Sequence, residues 1–200
     1  IQGDRRIDVT GFENFESTAR GWLKSESFDL SPAVARIDSA IFASYARSLP
    51  FAFVPERQLL DTPAYQALGT DGTKLLDEGA IEAPEGYVRL PATAASARTL
   101  AERLPDADGF LWAQVTYTLL AKDEFKGTQF ARMRADLTVT MFDRAGRAVL
   151  RHTESAEDST ELRIVTIGIM PASDFSTAAI RATAQVSADM ARWLEGRSSR

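Results

Sequence analysis

The chain has 200 residues, of which 44% are hydrophobic and 26% charged, and a formal net charge of -5. That is the balance of a globular protein long enough to bury about 70% of its unfolded surface. The acidic balance excludes nucleic acid as the main partner, since phosphate contacts need a concentrated basic face. With no cysteine there are no disulfides, thiolate nucleophiles or thiolate metal ligands, and no window reaches the roughly 20 apolar residues of a membrane span.

The chain opens Ile1-Gln2-Gly3 with no initiator methionine. A removed signal peptide, a removed lipoprotein leader and an arbitrary start point all give this pattern. Within residues 1–30 the best strand is "IDVTGF", where Ile7 and Val9 alternate with polar neighbours. "SPAVARIDSAIFASYARSLP" predicts a helix over 31–49, with Ser31 as N-cap, Pro32 at the first helical position and Val34, Ile37, Ile41 and Tyr45 on one stripe. "FAFVPE" reads as a short buried strand, and "RQLLDTPAYQAL" as a short helix that Pro63 interrupts or restarts.

Residues 69–91 are dense in Gly, Asp and Pro and predict a long loop or insertion with at most one short strand near Tyr87 to Leu90. An alanine-rich helix follows over 92–104, with Leu100 and Leu104 on one side. The second half alternates. "FLWAQVTYTLLA" puts Leu111, Ala113, Val115, Tyr117 and Leu119 on one face and Trp112, Gln114, Thr116 and Thr118 on the other. "FARMRADLTVTMF" repeats the pattern, which predicts a half-buried antiparallel sheet with a wet face. "DRAGR" is a hairpin turn into a strand from Ala148 to Glu154, "ELRIVTIGIM" reads as a further strand or a mixed segment, and "SDFSTAAIRATAQVSADMARWL" predicts an amphipathic helix over 173–195 with Ser173 as N-cap. Its apolar stripe runs Phe175, Ala178, Ala182, Val186, Met190, Trp193.

Chemistry has few places to reside. An even-length hairpin loop sets the only histidine, His152, on the same face as Leu150, Leu137, Val139 and Met141, where it reads as a core or rim residue rather than a catalyst or ligand. Asp106 and Asp108 in "PDADGF" read as turn chemistry, because no calcium-loop glutamate follows at the required distance. No Gly-x-Ser-x-Gly elbow or phosphate-binding glycine loop occurs, so no catalytic residue, cofactor or metal is assigned.

The wet face is the most site-like surface: Arg132, Arg134 and Arg151 share it with Asp136 and Thr138, and Lys122 and Lys126 lie at the preceding turn. A cross-strand charge ladder, with the arginines paired to Asp136 and Glu161, competes there with a site for an anionic partner such as a glycan, a lipid head group or an acidic protein patch.

The order of elements resembles small bacterial envelope lipoproteins. The nearest likeness is to the α/β domain shared by lipoprotein activators of penicillin-binding proteins, the curli-secretion lipoprotein and the N-terminal domain of the Tol-system propeller protein. Their "pf.vv", "gaD.vl.g.v" and "v.l.v.D..G.vv" motifs correspond to Pro50–Pro55, Asp106–Val115 and Leu137–Leu150. The opening "vaVlPF" strand of those families is not evident in the chain. The resemblance implies a periplasmic or outer-membrane location, membrane attachment only through a removed lipid anchor, and a non-enzymatic role with an envelope protein or anionic ligand as partner.

The expectation is therefore a single α/β (α+β) domain over residues 1–200 whose mainly antiparallel or mixed sheet is covered on one face by the three longer helices, with 1–30 its least defined segment. Two functions follow: an envelope-located binding or accessory protein acting through Arg132, Arg134 and Arg151, with Trp112 and Tyr117 as further contacts; or a small-molecule carrier or enzyme with an apolar pocket between helices and sheet, lined by Trp112, Tyr117 or Trp193.

Overall fold

The computed structural model describes residues 3–5, 29–54, 56–69, 80–82, 90–125, 128–165 and 172–198. A small antiparallel ribbon joins β1 (Gly3–Arg5) to β2 (Ala80–Glu82). The main sheet contains β3 (Gly109–Phe125), β4 (Thr128–Asp143), β5 (Ala148–Glu157) and β6 (Leu162–Val165), every pairing antiparallel. The order is β3-β4-β5, with β6 pairing the start of β4. The fold class is the one the alternation predicts. The "IDVTGF" strand and the strand near Tyr87 lie outside the described residues, except for Leu90 itself.

Helix α1 covers residues 31–48 as Ser31–Ala40, a π-helical turn Ile41–Tyr45, and Ala46–Ser48. Ser31 is its first residue rather than its cap: the Ser31 N–H donates to Asp29 Oδ1 at 2.8 Å. Short helices α2 (Glu56–Leu60) and α3 (Pro63–Gln66) follow, and Pro63 opens the second because a first-turn residue needs no N–H. In α4 (Ala94–Arg103), Thr93 caps the start by accepting from Ser96 N at 3.2 Å. The long α5 spans Ala172–Ser198, so Ser173 lies inside it.

Odd-numbered residues from Ala113 to Leu119 in β3 and from Ala131 to Val139 in β4, among them Val115, Tyr117, Met133 and Leu137, point into the main core with Ile37, Ile41 and Tyr45 of α1 and Phe175, Ala182, Val186 and Met190 of α5. On α5 the last core position belongs to Leu194, while Trp193, expected on the stripe, is only partly buried at the core's edge. The two buried tyrosine hydroxyls here find partners. Tyr45 Oη donates to Ser187 O at 3.1 Å, and Tyr117 Oη lies 2.5 Å from Thr183 Oγ1, which bonds Ala179 O.

One layer differs from expectation. Helix α4 does not lie with α1 and α5: Ala97, Leu100 and Ala101 pack with Phe110, Trp112 and Phe142, even-numbered residues on the opposite face, along with Tyr65 and Leu68. Trp112 therefore sits in a second core instead of on a wet surface. Its Nε1–H donates to Leu90 O at 3.2 Å, and it meets Phe142 edge-on at 5.4 Å between ring centroids. The face stays polar only beyond this patch, from Gln114 and Thr138 onward.

The β4–β5 turn explains the close approach of α4. Gly146 has φ +79°, and a Cβ there would come within 2.6 Å of Ala94 O, so both backbone and space require glycine. Arg144 reaches back from the turn, and its Nη1–H groups donate to Pro105 O and Ala107 O, each at 2.6 Å. Asp143 accepts from the backbone N–H of Ala145 and of Arg147 at 2.9 Å and from Arg147 Nε at 2.7 Å. Chiefly the Arg147 backbone N–H, with the Arg147 guanidinium and the Ala145 N–H behind it, holds the Asp143 carboxyl below its ordinary range against an opposing desolvation. A depressed folded-state value gives stability above the unfolded-state value, lost as pH falls through the folded one. Asp143→Asn is therefore expected to flatten the fall in urea midpoint between about pH 5 and pH 2, and an unchanged acid limb would remove the turn from the acid response.

Candidate binding groove

The arginine face forms the ladder that competed with an anion site. Arg132 Nη2 donates to Glu161 Oε1 at 2.8 Å; Arg134 holds Asp136 through Nε at 2.8 Å and reaches Ser155 Oγ at 3.2 Å. Ser155 Oγ also donates to Asp136. Such half-exposed pairs stabilise by about 0–1 kcal/mol each, but they neutralise two of the three cations. Arg151, exposed opposite Thr140, makes no ion pair among the described residues. The side chains of Lys122 and Lys126 lie outside the described residues.

His152 pairs with Val139, in line with Leu150 and Met141, on the face expected but not through an even loop. Asp143 N–H donates to Arg147 O across three residues, Phe142 pairs with Ala148, and a one-residue register shift before Met141 pairs with Leu150 restores the parity. Its ring stacks on Trp193 with centroids 3.6 Å apart and planes 3° from parallel, and Nε2 is hydrogen-bonded to Glu154 Oε1 at 2.7 Å. The Arg197 guanidinium carbon lies 5.0 Å from the Trp193 ring centroid. This arrangement clamps the last turns of α5 to β5. Trp193 and the buried Tyr117 are thus absorbed in packing.

The site-like feature lies elsewhere, where β3 begins at the edge of the main sheet. "FAFVPE" is not a strand: Phe51 to Val54 run irregularly between Pro50 and Pro55, and an apolar cavity of about 750 Å³ opens beside them. Its walls combine both cores, with Ile41, Leu111 and Met141 from one face of the sheet and Tyr65, Leu100 and Trp112 from the other. Phe42 at 37%, Phe51 at 46%, Val54 at 48% and Val149 at 55% are the exposed large hydrophobics among the described residues, and each lines this cavity. The partial exposure of its walls makes it an open groove. Its volume lies within the roughly 300–1,000 Å³ of ligand sites.

The chain builds this groove with two irregularities. Proline at each end of the 50–55 segment withholds ladder donors and keeps it out of the sheet. The π-helical turn at Ile41–Tyr45 inserts an extra residue into α1, the kind of distortion that clusters at functional positions. Phe42 leaves the α1 surface there and meets Phe53 edge-on, with ring centroids 6.2 Å apart.

Among the described residues, every charged one lining the groove is a carboxylate: Asp106, Asp108 and Asp143. Asp143 is committed to its turn, whereas Asp106 and Asp108 are exposed at the α4–β3 turn. Among the described residues no group of three His, Cys, Asp or Glu side chains is placed to hold a metal ion. What the groove offers chemically is desolvation of an apolar body, with negative charge at one end. Of the residues singled out from sequence, Trp112, Asp106 and Asp108 meet there; the arginines, His152, Tyr117 and Trp193 do not.

No family model matches the chain, and no curated protein matches it either.

Proposed function

We propose that this chain is a non-catalytic binding protein that works through the groove beside β3, in a bacterial envelope setting. One observation carries the binding surface: the exposed large hydrophobics, scattered in sequence from Phe42 to Val149, converge on one concavity. An apolar concavity of this kind marks a ligand or partner site, because leaving it wet costs free energy that an occupant recovers. The arginine face carries less of the function, since ion pairs to Glu161 and Asp136 occupy Arg132 and Arg134. The envelope setting rests on the resemblance in Pro50–Pro55, Asp106–Val115 and Leu137–Leu150.

The groove is tested with the neutral dye Nile red. The wild type is expected to raise its fluorescence, and the double variant Phe51→Ser, Val54→Ser to weaken binding about tenfold, the equivalent of roughly 1.4 kcal/mol of lost apolar contact. Both side chains are about half exposed, so the fold should survive. Binding unchanged in the double variant rules the groove out as the site. Fractionation of cells making the full-length protein tests the setting: recovery in the cytosol alone would overturn it.

A further inference from the structure

Resting on that reading, the geometry points to a specific class of occupant: we infer that the groove takes a cationic amphiphile, one unbranched hydrocarbon chain ending in an ammonium-type head. The chain would lie against Phe51, Val54, Leu111 and Met141, with the head beside Asp106 and Asp108.

An extended peptide fits these walls less well. Each peptide unit brings an N–H and a C=O that need partners, and among the described groove residues only Gly109 to Trp112 of β3 and Val149 of β5 belong to sheet edges that could supply them. A hydrocarbon chain brings no such groups. The head is assigned from charge. Asp106 and Asp108 make no ion pair among the described residues, and the neighbouring Arg144 spends its donors on the carbonyls of Ala101, Leu104, Pro105 and Ala107. That guanidinium partly offsets the two carboxylates, but it holds their turn in place instead of pairing with them. Among the described residues no lysine or arginine lines the groove, so an anionic head would meet like charge there.

The test titrates the protein, at low salt and below micelle-forming concentrations, with decyl-, dodecyl- and tetradecyltrimethylammonium, dodecanoate and dodecyl maltoside. Trp112 fluorescence and calorimetry give the affinities. Binding should tighten about fourfold per methylene, the equivalent of about 0.8 kcal/mol. The ammonium head should bind at least about fivefold tighter than the carboxylate, with a preference that fades in salt. Asp106→Asn, Asp108→Asn should abolish that preference and leave maltoside binding unchanged. Dodecanoate binding as tightly as the ammonium, or a preference that survives the Asn substitutions, overturns the cationic head while the groove stands. Nile red binding with no alkyl probe bound overturns the hydrocarbon occupant. No chain-length dependence and no Nile red binding overturns the groove itself.

Discussion

Leu137→Ala is expected to cost about 3–5 kcal/mol and to lower the melting temperature by roughly 10 °C or more, read from urea and thermal unfolding. Leu137 is fully buried in the central strand, opposite Val115 in β3 and Glu154 in β5. It packs in the core that α1 and α5 close. Removing its isobutyl group leaves a void that strands paired on both sides cannot collapse to fill. The loss is a large fraction of the 5–15 kcal/mol by which domains are stable. The control is its neighbour Thr138→Ala: Thr138 points to the other face and shares a 2.8 Å hydrogen bond with Thr153, so its loss should stay near 1 kcal/mol. Equal costs at the two positions would contradict the register, because a one-residue slip exchanges the faces.

That contrast follows from the alternation alone, and so does much of the main sheet. Strand periodicity places Leu137 inward and Arg134 outward. The face expected of His152 is the one observed, but an odd loop followed by a one-residue register shift between Phe142 and Met141 sets it, not an even loop. The ladder partners Asp136 and Glu161 were legible too, being the carboxylates nearest the arginines on the same face. Other features were hidden, each for a physical reason. Helix α4 carries an apolar side that suits either face of a sheet. The sign of its true layer is that Phe110, Trp112 and Phe142 are all even-numbered, an apolar patch at one end of an otherwise polar face. "FAFVPE" is apolar without alternation, so it reads as a buried strand until its flanking prolines are given weight. The groove combines both misreadings: its walls come from the unexpected layer and from the segment that is not a strand. No local pattern reports that Phe42 and Val149, more than 100 residues apart, share one cavity.

The second large effect concerns the ion pair that ties β5 to α5. Asp158, just past the end of β5, has a side chain only 4% exposed, and its Oδ2 accepts from Arg181 Nε at 2.9 Å and Nη2 at 2.6 Å. Its Oδ1 takes the Thr160 N–H at 3.3 Å, and its own N–H donates to Met133 O at 2.7 Å. The carboxylate thus organises the chain leaving the sheet while anchoring the middle of the helix, and in return it pushes the Arg181 guanidinium's pKa up. The two partners differ in exposure, and that difference sets the order of effects. Arg181 is 42% exposed, so after Asp158→Ala water can solvate it, and the loss should be about 2 kcal/mol. Arg181→Ala instead strands a buried carboxylate and should cost about 3 kcal/mol or more. Asp158→Asn, which keeps an acceptor for Thr160 N–H but loses the charge, should fall below both. A double variant with both residues replaced by Ala should recover part of the Arg181→Ala loss, because it removes the unpaired charge as well as the bond. If Asp158→Ala proved the costlier single change, the helix would be held chiefly by the turn at Asp158 and only secondarily by the pairing.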